Sequence, residues 1–471
     1  MATTPPPRPR VLILGGGLSG TLAAAALAPH SDSIDIVERH ALPDTPQPRR
    51  GLPQARHAHM LWAGGADAIE SLLPGTIDMW LRAGAHRVPL PNGMISLSPG
   101  GWYRRCWPEA QYLISAGRDL VDWAVRTQVL ALPGVRLLAE AEPVRLLGTR
   151  TRVTGATIRH PDGTEKCLEA DLVIDATGRS SQAPAWLAEL GVPAVPETVV
   201  DAGVTYASRR YKAPADTTGW PVINIQADAR LAVPGTAGTI LPIEGDTWMV
   251  SLSGTRGGEP TSDETQFAAF ASQMRSPLIA EYLARAEPLG QVTVARNTTN
   301  RRRHYERTRV EGFIALGDSA TALNPLYGHG MSAAAQGARA LRDLAANSTI
   351  TSKGFARRAQ RAVARPAAAA WLLAVGQDAA FPHATGKKPN LADRLTSRYI
   401  NRLITTAGSD FTVVEALTDV MTLQASGRVL ARPRILLAAI RGPRLPALSG
   451  PALTAAEEAV LLGRPDAPPT L

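Results

Sequence analysis

The sequence predicts an α/β fold in which a parallel sheet, opened by a strand–turn–helix unit, is combined with an antiparallel β-sheet and a helical C-terminal region. Three observations carry this expectation. The stretch VLILGGGLSGTLAAAALAPH (11–30) runs four aliphatic residues into three glycines and out into an alanine-rich segment. A second short strand follows at 34–37, and strands return in DLVIDATGR (171–179), a buried one, and in GFIAL (312–316). Between them, 199–211, 222–227 and 238–255 alternate or run apolar between Pro, Gly and Asp turns, as antiparallel strands do.

A chain of 471 residues is too long for one compact core and implies two or three domains. Its 45% hydrophobic and 19% charged residues suit a soluble globular enzyme. The lead MATTPPPRPR (1–10) has four prolines and no periodicity, so it reads as disordered. No apolar stretch with a small-residue cleavage site follows it, and no uninterrupted apolar run of about 18 residues stands elsewhere, so neither a signal peptide nor a membrane span is expected. Two cysteines, Cys106 and Cys167, are too few for a disulfide framework or a thiolate metal site. A cytoplasmic location is expected.

The net charge of +9 raises nucleic acid as a partner. The arginines are scattered, however, and the one dense run, NRRRHYERTR (300–309), has a single tyrosine and no binding module around it. A solvated basic surface that attracts anionic cofactors or an acidic carrier protein is the better reading.

Gly15, Gly17 and Gly20 have the spacing G-x-G-x-x-G between an apolar strand and a helix, and the strand at 34–37 ends in Glu38, 23 positions after Gly15. Gly15 allows the turn, Gly17 lets the backbone approach a pyrophosphate, and Gly20 lets the helix lie close on the sheet. A helix over 21–27, closed by Pro29, turns the unpaired N–H groups of its N-terminus to the phosphates, and Leu18 and Ser19 in the turn before it are expected to contact the cofactor. Glu38, with Arg39 beside it, is placed to accept from a ribose diol. A dinucleotide therefore binds here, and later motifs select which one. Gly317 and Asp318 end a strand, and a loop with Pro325, Gly328 and Gly330 leads into a helix over 331–344 that Met331 begins. Asp318 at a strand end suits a sugar-alcohol chain, and a helix N-terminus behind the glycine loop stabilises negative charge on a reduced flavin. A nicotinamide cofactor needs neither element, so FAD is expected.

These motifs, in this order, resemble the group A flavoprotein monooxygenases, the relatives of para-hydroxybenzoate hydroxylase. The resemblance implies that Asp318 contacts the ribityl chain and that 325–330 borders the isoalloxazine. It implies that Arg118, in ISAGRDLVDWAVR, reaches the FAD from a helix, and that Arg49, in Arg49-Arg50-Gly51, stands in a turn beside the cofactor. The family's usual Asp-Gly pair is replaced by DATGR (175–179), which leaves that motif's part in NADPH docking open. GLPQARHAHMLWAGGA (51–66), LSGTRGGEP (252–260), NRRRHYER (300–307) and LNPLYGHGMSAAA (323–335) look like segments of the flavin epoxidases of polyether polyketide pathways. That narrower resemblance implies an FAD-dependent epoxidase in antibiotic biosynthesis. Reduced flavin would capture O2 at C4a, and the hydroperoxide would pass its distal oxygen to an alkene of a polyketide intermediate, free or carrier-bound. Electrons would come from NAD(P)H or a separate flavin reductase. An aromatic hydroxylase is the alternative; a halogenase is disfavoured, because no W-x-W-x-I-P motif is present.

The motif positions imply a discontinuous FAD-binding domain (11–88, 110–190 and 295–345), a β-sheet substrate domain (89–109 and 191–294) and a helical region (346–471). His57 and His59 are open to a structural role, to contact with flavin or substrate, or to general base work. At i and i+2 they cannot both line one pocket if the segment is extended. No H-E-x-x-H or Cys/His cluster accompanies them, so no metal is expected. At His329 the flanking glycines are expected to matter more than the ring. Arg104 and Arg105, among Trp102, Tyr103 and Trp107, read either as a rim through which substrate enters or as an ordinary amphipathic strand.

Overall fold

The computed structural model describes residues 8–463 except 216, 218 and 389. A central five-stranded parallel sheet has the order Phe313–Ala315, Leu172–Asp175, β1 (Arg10–Leu14), β2 (Ser33–Glu38), Val135–Ala139. Helix α1 (Leu18–Leu27) lies against it with nine buried residues, and the alanines let it sit close. Helices Arg118–Leu130 and His329–Ala346 share this apolar core, so three separated stretches of chain build one layer. A three-stranded antiparallel sheet, Glu142–Thr149, Arg152–Arg159 and Glu165–Glu169, packs beneath the other face.

Of the disordered lead expected over 1–10, residues 1–7 lie outside the described residues, and Arg10 already pairs with Ser33 in β1. Helix α1 begins at Leu18, three residues earlier than expected, because Gly17 caps it; the last helix of the layer likewise begins at His329.

The second layer is a seven-stranded sheet in the order Glu287–Ala295, Thr205–Lys212, Thr247–Gly254, Thr236–Ile243, Val222–Ile225, Met94–Ser98, Gly101–Trp102. It corrects the expectation of a purely antiparallel sheet. Val222–Ile225 and Met94–Ser98 run parallel, since two strands more than a hundred residues apart are not bound to hairpin geometry. The stretch 199–211 is likewise not one strand. It breaks at Gly203 (φ +63°), and Glu197–Asp201 turns away to pair with Asn300–Arg303 and Thr385–Gly386 in a small separate sheet. One face of the seven-stranded sheet packs on helices Glu264–Gln273 and Leu278–Leu283. The other meets β3 (Met60–Trp62) and its partner strands through Met60, Trp62, Met94, Leu241 and Met249.

Beyond residue 346 the chain is helical, as expected, with helices Phe355–Asp378, Leu391–Ala407, Phe411–Met421, Pro433–Arg441 and Ala455–Leu462. Among the described residues no helix is long and apolar enough to cross a membrane.

Candidate functional site

The three glycines after β1 do three different things. Gly15 has φ +108°, its N–H donates to Val37 O at 2.8 Å, and a Cβ there would stand 2.5 Å from Ala176 O. Gly16 donates its N–H to Glu38 Oε2 at 3.0 Å, and a Cβ would press on Glu38 Cβ at 2.9 Å. The fingerprint spacing assigns this middle glycine no task; it is the seat of the Glu38 carboxylate. At Gly20 a Cβ would run into Gly15 O, so helix and turn touch there. Gly17 alone is open, with only Arg49 Nη2 in reach at 3.7 Å. It caps α1 with no side-chain acceptor and no acidic residue in the first turn, leaving the N–H groups of Leu18 and Ser19 facing an open cradle. A pyrophosphate fits these donors and that space.

Glu38 is buried, accepts His40 N–H at 3.1 Å as well as Gly16 N–H, and lies 3.7 Å from Arg49 Nη1. Arg49 is withdrawn from solvent between Glu38 and Asp122 Oδ2, each at 3.7 Å. Asp122 also accepts Arg118 Nε at 2.7 Å, an i, i+4 pair on the helix that Arg118 begins. Asp122, which the motifs alone do not single out, therefore brings Arg49 and Arg118 together; the i, i+4 spacing was the available signal. Arg39 is exposed.

Asp175 is fully buried and laces the DATGR turn. Its carboxylate accepts Thr177 N–H at 3.0 Å, Thr177 Oγ1 at 2.6 Å and Ser181 Oγ at 2.5 Å. The turn projects Arg179, whose Nε lies 3.4 Å from Asp318 Oδ2 and whose remaining nitrogens donate to Thr299 O and Leu323 O. Gly317, at φ +62°, packs on Ser19, where a Cβ would come within 2.8 Å of Ser19 Cβ. A Cβ on Gly330 would stand 3.9 Å from Asp318 Oδ1. The strand-end pair, α1 and the glycine loop thus converge on one cleft. Partial burial lifts the Asp318 carboxyl above its usual range, and Arg179 and Arg118 oppose that lift.

The loop itself is a short 3₁₀ turn, Pro325–Tyr327, capped by Asn324 Oδ1 accepting Leu326 N–H at 3.1 Å. Gly328, at φ +67°, leads into the helix His329–Ala346, whose first turn has neither a side-chain cap nor an acid. Trp62 Nε1 donates to Tyr327 O at 3.1 Å. Met331 is buried in the core behind. The profile of the FAD binding domain family matches residues 8–350. The chain belongs to that family.

Its fold is of the para-hydroxybenzoate hydroxylase type, and its relatives include the group A flavoprotein monooxygenases. Protein Rv3254 of Mycobacterium tuberculosis is 28% identical over 398 residues, covering 81% of this chain and 82% of the relative. Kynurenine 3-monooxygenase of Salinispora tropica is 26% identical over 348 residues, covering 69% and 70%. The structure is also similar to that of the flavin-dependent brominase Bmp2, with a TM-score of 0.65 at 16% identity over 92% of this chain and 98% of that one.

In this flavoprotein the two histidines diverge, as their spacing predicts. His57 turns to the seven-stranded sheet, where Nδ1 lies 2.8 Å from Ser208 Oγ; Ser208 in turn bonds Ser251 Oγ at 2.5 Å, and Ser251 Oγ accepts Ala58 N–H at 2.9 Å. His59 folds back, its Nδ1 donating to the His57 carbonyl at 2.8 Å, on the side of Arg118. Burial, with Arg56 nearby, pushes His57 down to about 4; burial, with Arg118 nearby, pushes His59 down to about 3. Both rings are neutral at pH 7. His329 donates Nε2–H to Met421 O at 2.9 Å and is pushed by burial to about 4, so it pegs the helix start to the C-terminal region.

The aromatic and arginine cluster has a structural role. Arg105 donates to Asn92 O at 2.6 Å and pairs with Glu457 at 2.6 Å, Arg104 donates to Pro446 O at 2.7 Å, and Trp107 stacks on Phe411. The dense basic run is in part internal architecture: Arg303 is buried between Glu197 (2.9 Å) and Ser319 O (2.9 Å), while Arg307 and Arg309 are exposed.

Proposed function

We propose that this FAD-dependent monooxygenase epoxidises alkenes of a polyketide-derived polyene, free or carrier-bound. One observation supports this reading above the others: three of the four segments that carry the resemblance to the polyether epoxidases, far apart in sequence, meet around the glycine loop. Segment 51–66 brings Trp62 to Tyr327 O and His57 to Ser208 on the facing sheet. Segment 300–307 brings Asn300, whose Oδ1 accepts Asn324 N–H at 2.7 Å. Segment 323–335 is the loop and the helix start.

When bound, reduced FAD supplies the activation of O2 and the transfer of one oxygen atom. The chain supplies position and protection. Gly17, Leu18 and Ser19 hold the pyrophosphate through backbone N–H groups, Glu38 takes the ribose, and Asp318 takes the ribityl chain with Arg179 and Arg118 behind it. The loop Pro325, Gly328 and Gly330 borders the ring, and the seven-stranded sheet closes over it to exclude water. An isolated alkene is nucleophilic without deprotonation, so the neutral imidazoles of His57 and His59 have no proton to take. Either NAD(P)H or a separate reductase can serve as the electron source, since the site built here does not depend on which.

A second reading, an aromatic hydroxylase, is favoured by the similarity to kynurenine 3-monooxygenase and by His57 as an uncharged acceptor beside two hydroxyls. A phenol gains reactivity on deprotonation and would use it. The test is turnover of the FAD-loaded protein with NADPH or chemically reduced flavin, ¹⁸O₂, an unconjugated polyene ester and a simple phenol. One ¹⁸O atom in the polyene as an epoxide is the expected result; oxygen on the phenol alone overturns it.

A further inference from the structure

Helix Phe355–Asp378 ends on a buried carboxylate that lies outside the family match at 8–350. Asp378 is 1% exposed. Its Oδ2 accepts Asn300 Nδ2 at 2.6 Å and Asn324 Nδ2 at 2.8 Å, and its Oδ1 accepts Tyr327 Oη at 2.7 Å. The direction of each bond is fixed. Asn300 Oδ1 is held by the backbone N–H of Asn324 at 2.7 Å, and Asn324 Oδ1 by the backbone N–H of Leu326 at 3.1 Å; a backbone N–H only donates, so both amide nitrogens must point at Asp378. Asn324 Oδ1 also accepts Tyr206 Oη at 2.7 Å from the seven-stranded sheet. Three donors therefore converge on one carboxylate.

We infer that Asp378 is a positioning residue for the flavin: it clamps the loop 324–327 and ties it to the substrate sheet through Tyr206. Two of its three partners, Asn324 and Tyr327, form or flank the turn that precedes Gly328 and the helix start, and a shift there moves every backbone N–H offered to the isoalloxazine. Burial raises the Asp378 carboxyl, and the three donors pull it back; the two amide N–H groups on Oδ2 cannot reverse and so require an acceptor there. The C-terminal region thereby becomes part of the cofactor site without touching the cofactor. The inference rests on the FAD reading of the site.

Fluorescence titration of each apo-protein with FAD, together with the visible spectrum of the bound flavin, is the test. Asp378→Ala leaves two amide N–H groups and a hydroxyl without their acceptor in a buried site and is expected to weaken FAD binding about tenfold and displace the flavin band. Asn300→Asp, which sets two carboxylates face to face, is expected to do the same. Asp378→Asn keeps a carbonyl oxygen on both amides and turns its own NH2 to Tyr327 Oη, which accepts as well as donates; it is expected to hold wild-type affinity to within about threefold. Tyr327→Phe, which removes one donor and no charge, is expected to weaken binding about threefold and decides the matter if Asp378→Ala does not fold. Wild-type affinity and spectrum in Asp378→Ala or, should it not fold, in Tyr327→Phe overturn the inference, as does an Asp378→Asn protein that binds FAD as weakly as Asp378→Ala. A wild-type chain that binds no FAD overturns the FAD reading itself and is seen separately.

Discussion

Arg179 faces Asp318 at 3.4 Å while its other guanidinium nitrogens hold the carbonyls of Thr299 and Leu323. One side chain thus neutralises the carboxylate at the strand end and ties two loops of the cleft together. Arg179→Met, which keeps the aliphatic stem, is expected to weaken FAD binding about tenfold and to lower stability by about 1–2 kcal/mol. Arg179→Lys keeps the charge but not the planar fork and is expected to recover only part of the affinity. FAD titration beside thermal unfolding of the apo-protein separates the two losses.

The glycines of the first turn separate folding from cofactor binding. Gly20→Ala forces a Cβ into Gly15 O, and Gly15→Ala sets one 2.5 Å from Ala176 O at φ +108°. Both are expected to cost several kcal/mol, about 3 or more, in the apo-protein. Gly17→Ala meets only Arg49 Nη2 at 3.7 Å, so the apo-protein is expected to unfold within a degree or two of wild type. Its new methyl fills the pyrophosphate cradle, and FAD affinity is expected to fall by about a hundredfold. A Gly17→Ala protein that binds FAD normally would show that the phosphates lie elsewhere.

The parts of this site that were legible in the sequence are those in which local chain geometry and ligand chemistry coincide. Gly15 and Gly20 were readable because a turn and a helix contact each require glycine within one short stretch, whereas Gly17 meets only Arg49 and owes its glycine to the proposed pyrophosphate. Gly317, Asp318 and the loop at 325–330 were readable because they end a strand and start a helix. Gly16 was not, since its partner Glu38 becomes a neighbour only once β1 and β2 pair. Arg179, Asp122 and Asp378 were hidden for the same reason: each acts on residues remote in the chain, the last from a helix whose alanine-rich composition says nothing of where it docks. The parallel pairing of Val222–Ile225 with Met94–Ser98 was invisible because alternation marks a strand and not its neighbour.

The buried histidines fix the acid side of the stability profile. His329 titrates near 4 in the folded chain, against an ordinary value of 6.5. Above pH 6.5 both states are neutral and the contribution is nil. As pH falls below 6.5 the unfolded chain binds a proton that the folded chain refuses, so stability falls until the folded ring protonates near pH 4. At pH 5 this amounts to about 2 kcal/mol for His329 alone. His57, near 4, and His59, near 3, act in the same direction. Thermal unfolding of the apo-protein is expected to be highest near neutrality and to drop between pH 6.5 and 5, above the range in which ordinary carboxylates titrate. His329→Asn is expected to flatten that drop.

Among the described residues, an ion pair fastens the last helix, Ala455–Leu462, to the rest of the chain, and a single substitution can open it. Arg105 is bound to Glu457 Oε2 at 2.6 Å, and the same carboxylate oxygen accepts Thr454 N–H at 2.8 Å in the capping box of helix Ala455–Leu462. Arg105 also holds Ala452 O at 3.0 Å and Asn92 O at 2.6 Å, so it joins the tail to the turn that leads into strand Met94–Ser98 of the seven-stranded sheet. Removing it leaves Glu457, only 5% exposed, as an unpaired buried charge. Arg105→Met is expected to cost about 3–5 kcal/mol, more than an exposed pair would, because desolvation of the remaining carboxylate is no longer offset. Replacing both partners, Arg105→Met with Glu457→Gln, removes that charge and is expected to recover more than half of the loss. The two apo-proteins, compared by urea unfolding, check this: equal losses would mean that the bond, not the stranded charge, carries the energy.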